Sequence, residues 1–300
     1  MASSQEPLTT GKAVLDRNPD KFLSRSVHDL ISLKGRTIVI TGGGRGLGLA
    51  FGFAVAEVGG NVAVIDLLDK PHDHFQKLAT EFNVKVKLYK SDVTNYGHLQ
   101  ATFDEIVKDF GRIDGLVTAA GICPDEPFLN REPESVARCM NINVLGTYYA
   151  AQLAARQMAK QEPAEFNPRG GSIVLIASIA AHVASKGQTT SDYCASKGAV
   201  VSLAKALGVE LAAVGIRVNS ISPGPSPAPC FMIACFVLPQ ANDDTAAGGI
   251  DIMVNEPPMR RIGDRTDLKV PVVYLLSDAG AYHTSDDLLI TGGIHAGRLM

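Results

Sequence analysis

Short apolar blocks alternate with amphipathic stretches along most of the chain. Arg36–Thr41, Asn61–Asp66, Val84–Tyr89, Asp114–Thr118, Ser172–Ala177 and Ile216–Ile221 are brief, rich in β-branched residues and nearly unbroken in hydrophobicity. Blocks of that kind are strands buried on both faces, as in a parallel sheet. Between them, apolar residues recur every three or four positions at Gly46–Val58, Pro71–Phe82, Tyr96–Phe110, Pro133–Lys160 and Gly198–Leu211, which predicts helices. Gly111 follows the third of these as a C-cap would. A helix near Asp267–Leu276 and a strand at Asp287–Thr291 close the pattern. The alternation predicts an α/β fold, a single doubly wound parallel sheet with helices on both faces.

Such sheets bind ligands at the carboxyl ends of their strands. Gly42, Asp66, Asp92, Ala120, Ser178 and Pro223 all fall there. Gly42-Gly43-Gly44-Arg45-Gly46-Leu47-Gly48 joins the first strand to the first long helix. Its glycines permit a sharp turn and close approach of a pyrophosphate, and the helix start offers unpaired N–H groups to the phosphates. The next strand ends in Asp66, whose carboxylate can accept bonds from an adenosine ribose and repels a 2′-phosphate. Strand, glycine turn, helix and acidic strand end together define a Rossmann-type dinucleotide site. Asp66 favours NAD, while Arg45, a cation beside the turn, keeps NADP open.

A second constellation lies at Ser191–Lys197. Tyr193 and Lys197 are four apart and share one face of the predicted helix. A fixed ammonium beside a phenol favours the phenolate and brings it toward the range useful for moving a proton to or from an alcohol. Asp192 reads as a helix-start acid. Cys194, about 100° round the helix from Tyr193, reads as a core residue.

Composition narrows the field. A length of 300 residues fits one large α/β domain, here residues 35–300 behind an arm at 1–34. Net charge is −3, the signs are mixed and no basic stripe is visible, so nucleic acid is not an expected partner. The longest apolar runs, Ile173–Ala181 and Phe231–Leu238, are too short to span a bilayer, and no membrane partner is expected. Five cysteines without a C-x-x-C pair, and no basic-then-apolar leader, point to a reducing, cytosolic setting. His72 and His74 flank Asp73 without further ligands at a fitting spacing, so no metal site is expected. His182, just past Ser178, is either a pocket residue or a loop histidine.

Thr41-Gly42-x-x-x-Gly46-x-Gly48, Asp92-Val93, Ala119-Ala120-Gly121, Asn143, Ser178, Tyr193-x-x-x-Lys197 and Pro223-Gly224 occur in the order and spacing of the short-chain dehydrogenase/reductase family. The sequence resembles that family from about Leu33 to Gly224 and again near the C-terminus. Within it, Ile290-Thr-Gly-Gly-Ile-His-Ala-Gly-Arg298 is similar to fungal-type polyol dehydrogenases, ketose reductases and related reductases of secondary metabolism. The resemblance implies that Tyr193 is the acid–base, that Lys197 tunes it and binds the nicotinamide ribose, and that Ser178 orients the carbonyl. It implies that Asn143 holds a water of the proton relay. Asp92 and Val93 are implied at the adenine, Ala120 and Gly121 along the cofactor, and Pro223 and Gly224 by the nicotinamide. The implied activity interconverts a secondary alcohol and a ketone, on a polyol or ketose or else on a secondary-metabolite ketone of polyketide type. A cofactor-binding protein without turnover is the reading from another class. Family habit implies a homodimer or homotetramer.

Two departures stand out. Thr118 occupies the place of the usual Asn before Ala-Ala-Gly, and a threonine there is expected to hydrogen-bond across the sheet. After Pro223-Gly224, Pro225, Pro227 and Pro229 forbid the usual helix, and Cys230–Leu238 is apolar and uncharged. This insertion, about 225–258, reads as a substrate or dimer lid, an inert surface insertion, or a translated intron.

Overall fold

The computed structural model describes residues 20–164, 167, 170–184, 188–225 and 254–297. The arm before Asp20 and the insertion from Ser226 to Met253 lie outside the described residues, and with them the three readings of Cys230–Leu238.

Seven strands form one sheet: β1 (Thr37–Thr41), β2 (Asn61–Asp66), β3 (Val86–Lys90), β4 (Gly115–Thr118), β5 (Ser172–Ile176), β6 (Arg217–Pro223) and β7 (Asp287–Ile290). The order is β3-β2-β1-β4-β5-β6-β7 and every pairing is parallel. The predicted α/β class and doubly wound sheet are what the chain adopts. Side-chain alternation sends neighbouring residues of one strand to opposite faces. Ile38 and Ile40 pack with α2 (Gly46–Glu57), α3 (Phe75–Glu81) and α8 (Lys269–Leu276, numbered among the described helices). Val39 faces the other layer, formed by α4 (Tyr96–Phe110), α6 (Thr147–Met158) and α7 (Ser191–Glu210). Both faces are covered, which is why the strands lack a polar side.

Some boundaries differ from those predicted. Ahead of β1, the described part of the arm holds a 3-10 turn at Lys21–Ser24 and a five-residue α1 at Val27–Ile31, opened by a Ser26–Asp29 capping box. Pro71–Phe82 is helical only from Phe75, after a turn at Asp73 and His74. The stretch Pro133–Lys160 is not one regular helix. It is α5 (Pro133–Met140), a widened π turn at Asn141–Gly146, then α6. Hydrophobic spacing cannot show an extra residue in a turn whose backbone stays in the α region.

Thr118 corrects an expectation. Its hydroxyl is buried and has no hydrogen-bond partner among the described residues. A hydroxyl on Cβ is too short to cross the sheet as a longer amide could. An unmet buried hydroxyl costs about 1–3 kcal/mol. Thr118→Val keeps the β-branched shape, so it is expected to raise the thermal midpoint by roughly 2–4 °C per kcal/mol gained, read by calorimetry. An unchanged or lower midpoint would show that the hydroxyl is satisfied in solution.

Candidate active site

The crevice lies where the strand order reverses, between β1 and β4, at the carboxyl end of the sheet. Thr41 ends β1, and Gly42 turns the chain with φ +68, a left-handed conformation that favours glycine. A Cβ on Gly42 would meet the backbone of Ala120 at 2.7 Å, so the glycine also permits close packing of the two strand exits. Arg45 precedes the first turn of α2, leaving the first amides of that helix for an anion.

A cleft of about 320 Å³ opens beside this turn. Of the sequence-predicted residues, Gly42, Arg45, Gly46, Leu47, Gly48 and Asp66 line it. So do Asp92, Val93, Ala120 and Gly121. Arg138 and Ile142, from α5 and the π turn, line it as well. They carry no motif, and only the topology brings them there. One Asp66 carboxylate oxygen accepts from the Gly44 amide at 2.8 Å and the other from the Leu68 amide at 3.1 Å. These bonds fix the carboxylate facing the glycine turn with lone pairs to spare. Glycine cradle, helix start and fixed carboxylate fit an adenine dinucleotide.

Tyr193 and Lys197 sit in the first two turns of α7. The ammonium lies 5.7 Å from the centre of the Tyr193 ring and donates to the Ile176 carbonyl at 2.7 Å. Lys197 is only 6 % exposed, so its charge acts in a poorly solvated place. Ser178, two residues past β5, is also buried, and its hydroxyl accepts the Ala180 amide at 3.1 Å. Accepting that bond leaves its proton for another acceptor.

Asn143 is fully buried within the π turn. Its carbonyl oxygen accepts from Ile122 N and its amide donates to Ile122 O, both at 2.9 Å. The same amide reaches the Ser196 hydroxyl at 3.0 Å. Asn143 thus braces the chain leaving β4 against α7. A Cβ on Gly121 would lie 3.2 Å from Asn143 Oδ1 and 3.7 Å from Lys197 Nζ. Gly121, Asn143 and Lys197 therefore converge. Pro223 ends β6 and Gly224 follows it; both line a separate hollow with Thr291, and the Gly224 amide donates to Ile290 O at 2.8 Å.

His72 and His74 stack edge-on at 4.8 Å on an exposed turn, and no group of metal-ligating side chains occurs among the described residues. Cys194 is half-buried, 3.7 Å from the Thr190 hydroxyl. His182 reaches Asp287 on β7 at 2.7 Å. Burial and the nearby Asp192 push the Cys139 thiol up to about 11, which keeps it protonated beside Ser196. Among the described residues, no helix is long and apolar enough to cross a membrane.

A family model described as enoyl-(acyl carrier protein) reductase matches residues 42–295. The chain is 32% identical over 269 residues to an NADP-dependent mannitol dehydrogenase of Aureobasidium melanogenum, covering 88% of this chain and 94% of that protein. It is 33% identical over 266 residues to an L-rhamnose 1-dehydrogenase (NAD(P)(+)) of a Sphingomonas species, covering 88% and 97%. Its fold matches a short-chain type dehydrogenase/reductase from Mycobacterium marinum with a TM-score of 0.78 at 34% identity, over 90% of this chain and 99% of that one. The chain belongs to the short-chain dehydrogenase/reductase family. It is an NAD(P)-dependent oxidoreductase that interconverts an alcohol and a carbonyl.

Proposed function

We propose that the protein interconverts a polyol and its ketose, with NAD as the preferred cofactor. The carrying observation is the convergence of Lys197, Asn143 and Gly121 at the strand ends, with Tyr193 beside them and the dinucleotide cleft adjoining. The nicotinamide, when bound, supplies or accepts the hydride. In ketose reduction, Tyr193 gives its phenolic proton to the carbonyl oxygen, and in polyol oxidation it takes the hydroxyl proton. Lys197 stabilises the phenolate and would hold the nicotinamide ribose. Ser178 donates its free proton to the substrate oxygen and so supports the charge that develops there. Asn143 holds Ile122 and Ser196 in place, which keeps Gly121 open beside Lys197 and leaves room for a relay water.

The mannitol and rhamnose dehydrogenases support the polyol class. The NAD preference rests on Asp66, against the NADP named for the mannitol enzyme. A carboxylate held there repels a 2′-phosphate. With purified protein and a panel of ketoses and aromatic ketones, NADH is expected to be oxidised with a ketose and NADPH to be used at least tenfold less well. Asp66→Ser should narrow that gap about tenfold by relieving NADPH use. Oxidation only with aromatic ketones would overturn the substrate class, and an NADPH preference unaffected by Asp66→Ser would overturn the cofactor assignment.

A further inference from the structure

Arg131 and Asp192 form an ion pair with side chains 2 % and 1 % exposed, Nη1 against Oδ1. The two residues come from different places. Arg131 closes the loop that leaves β4 and runs past Cys123 and the 3-10 turn Phe128–Asn130. Asp192 lies in the first turn of α7, next to Tyr193.

The pair touches the tyrosine's own backbone. Asp192 Oδ1 also accepts the Tyr193 amide at 2.8 Å. On the other side, Arg131 Nη2 donates to Glu126 O at 2.7 Å and also to Thr189 O. Glu126 N donates to Thr189 O at 3.1 Å, and Asp125 Oδ1 accepts the Thr189 amide at 2.8 Å. One guanidinium thus ties the loop, the approach to α7 and the first turn of α7 together.

The pair is poorly arranged as a stabilising device. Arg131 Nε, Arg131 Nη1 and Asp192 Oδ2 are buried without a well-formed hydrogen bond among the described residues, although Nη1 faces Oδ1 in the ion pair. Burying two charges is costly, and a pair with an idle donor and an idle acceptor recovers that cost incompletely. What the arrangement does supply is a fixed geometry and a local net charge of zero at the first turn of α7, where Asp192 holds the Tyr193 amide.

We propose that Arg131 and Asp192 are positioning residues that hold Tyr193 in register and keep its surroundings electrically neutral. This rests on the reading of Tyr193 as the acid–base. Removing one partner leaves a bare charge next to that turn. A bare carboxylate, as in Arg131→Met, disfavours the phenolate, and a bare guanidinium, as in Asp192→Asn, favours it. Other titratable groups on α7 are Cys194, Lys197, Lys205 and Glu210, and the elements packed against it carry Glu134, Arg138, Cys139, Arg217 and Asp287, the last paired with His182. Both substitutions leave these groups in place; Asp192→Asn also withdraws a carboxylate from beside Cys139, whose thiol is still pushed up by burial.

The test measures alcohol oxidation against pH, together with NADH affinity by fluorescence, in Arg131→Met, Asp192→Asn and Arg131→Lys, with Tyr193→Phe as reference. In the two charge-removing variants kcat should fall at least tenfold with the cofactor Kd within about twofold. The pH at half-maximal kcat/KM should move up in Arg131→Met and down in Asp192→Asn, on the order of one pH unit each. Arg131→Lys keeps the charge but loses the fork. It should leave that midpoint in place while kcat drops several-fold. Where the charge-removing variants do not fold, Arg131→Lys and Asp192→Glu carry the test, and unchanged kcat in both overturns the proposal. Midpoints that stay put, or move the same way, also overturn it if Tyr193→Phe is inactive. An active Tyr193→Phe would instead sink the reading beneath it.

Discussion

Tyr193→Phe is expected to lower turnover by about 10²- to 10⁴-fold, the usual contribution of a positioned acid or base, and to leave cofactor binding nearly unchanged. The substitution removes one oxygen. The ring stays against α7, and Lys197 keeps its bond to the Ile176 carbonyl. The glycine turn and Asp66 lie at the other end of the crevice and do not depend on the phenol. Steady-state oxidation with a responsive alcohol, alongside an NADH titration, separates the two effects. The pH dependence adds a sign. Oxidation needs the phenolate, so kcat/KM should rise with pH to a plateau as the phenol ionises. Lys197 favours the phenolate and sets that rise low; in Lys197→Met the rise should move to higher pH. A Tyr193→Phe variant that keeps more than a tenth of the turnover would remove Tyr193 from the chemistry and hand the proton to another group.

The sheet and its ligand-binding end were legible because burial on both faces forces a readable code. Ile38, Val39 and Ile40 must all be apolar when helices cover both sides. The cofactor turn was legible for a related reason: φ +68 at Gly42 favours glycine, and the close approach to the Ala120 backbone leaves no room for a Cβ. Features that depend on a partner distant in sequence were not legible. Asp192 reads as a helix-start acid, and nothing near it announces Arg131, 61 positions earlier, as its buried counter-charge. Arg138 carries no motif, and it reaches the dinucleotide cleft only through the placement of α5 in the fold. Thr118 fails for the opposite reason. Its residue type allows a hydrogen bond, but the sheet spacing withholds the acceptor.

Gly48→Ala should weaken NADH binding ten- to hundredfold, the equivalent of about 1.4–2.7 kcal/mol. A Cβ at that position would stand 2.2 Å from the Gly42 carbonyl oxygen and 2.7 Å from its carbon. Both are backbone atoms, so no rotamer change can relieve the contact. Either α2 or the Gly42–Arg45 turn has to move. Helix α2 is pinned by buried residues, among them Phe51 and Val55, both wholly inaccessible to solvent. The turn therefore gives way, and with it the amides that would face a pyrophosphate. Overpacking of this kind usually costs about 1–3 kcal/mol in stability as well, so the thermal midpoint should fall by several degrees. Gly198→Ala is the control. It lies in α7 with nothing within 4 Å of its Cβ position, and alanine is favoured over glycine in a helix by up to about 1 kcal/mol. That variant should bind NADH normally and melt no lower. Normal binding by Gly48→Ala in a folded protein would mean that the cofactor's phosphates do not rest on this turn, and the NAD preference argued from Asp66 would fall with it, since the carboxylate is held by the same turn through Gly44.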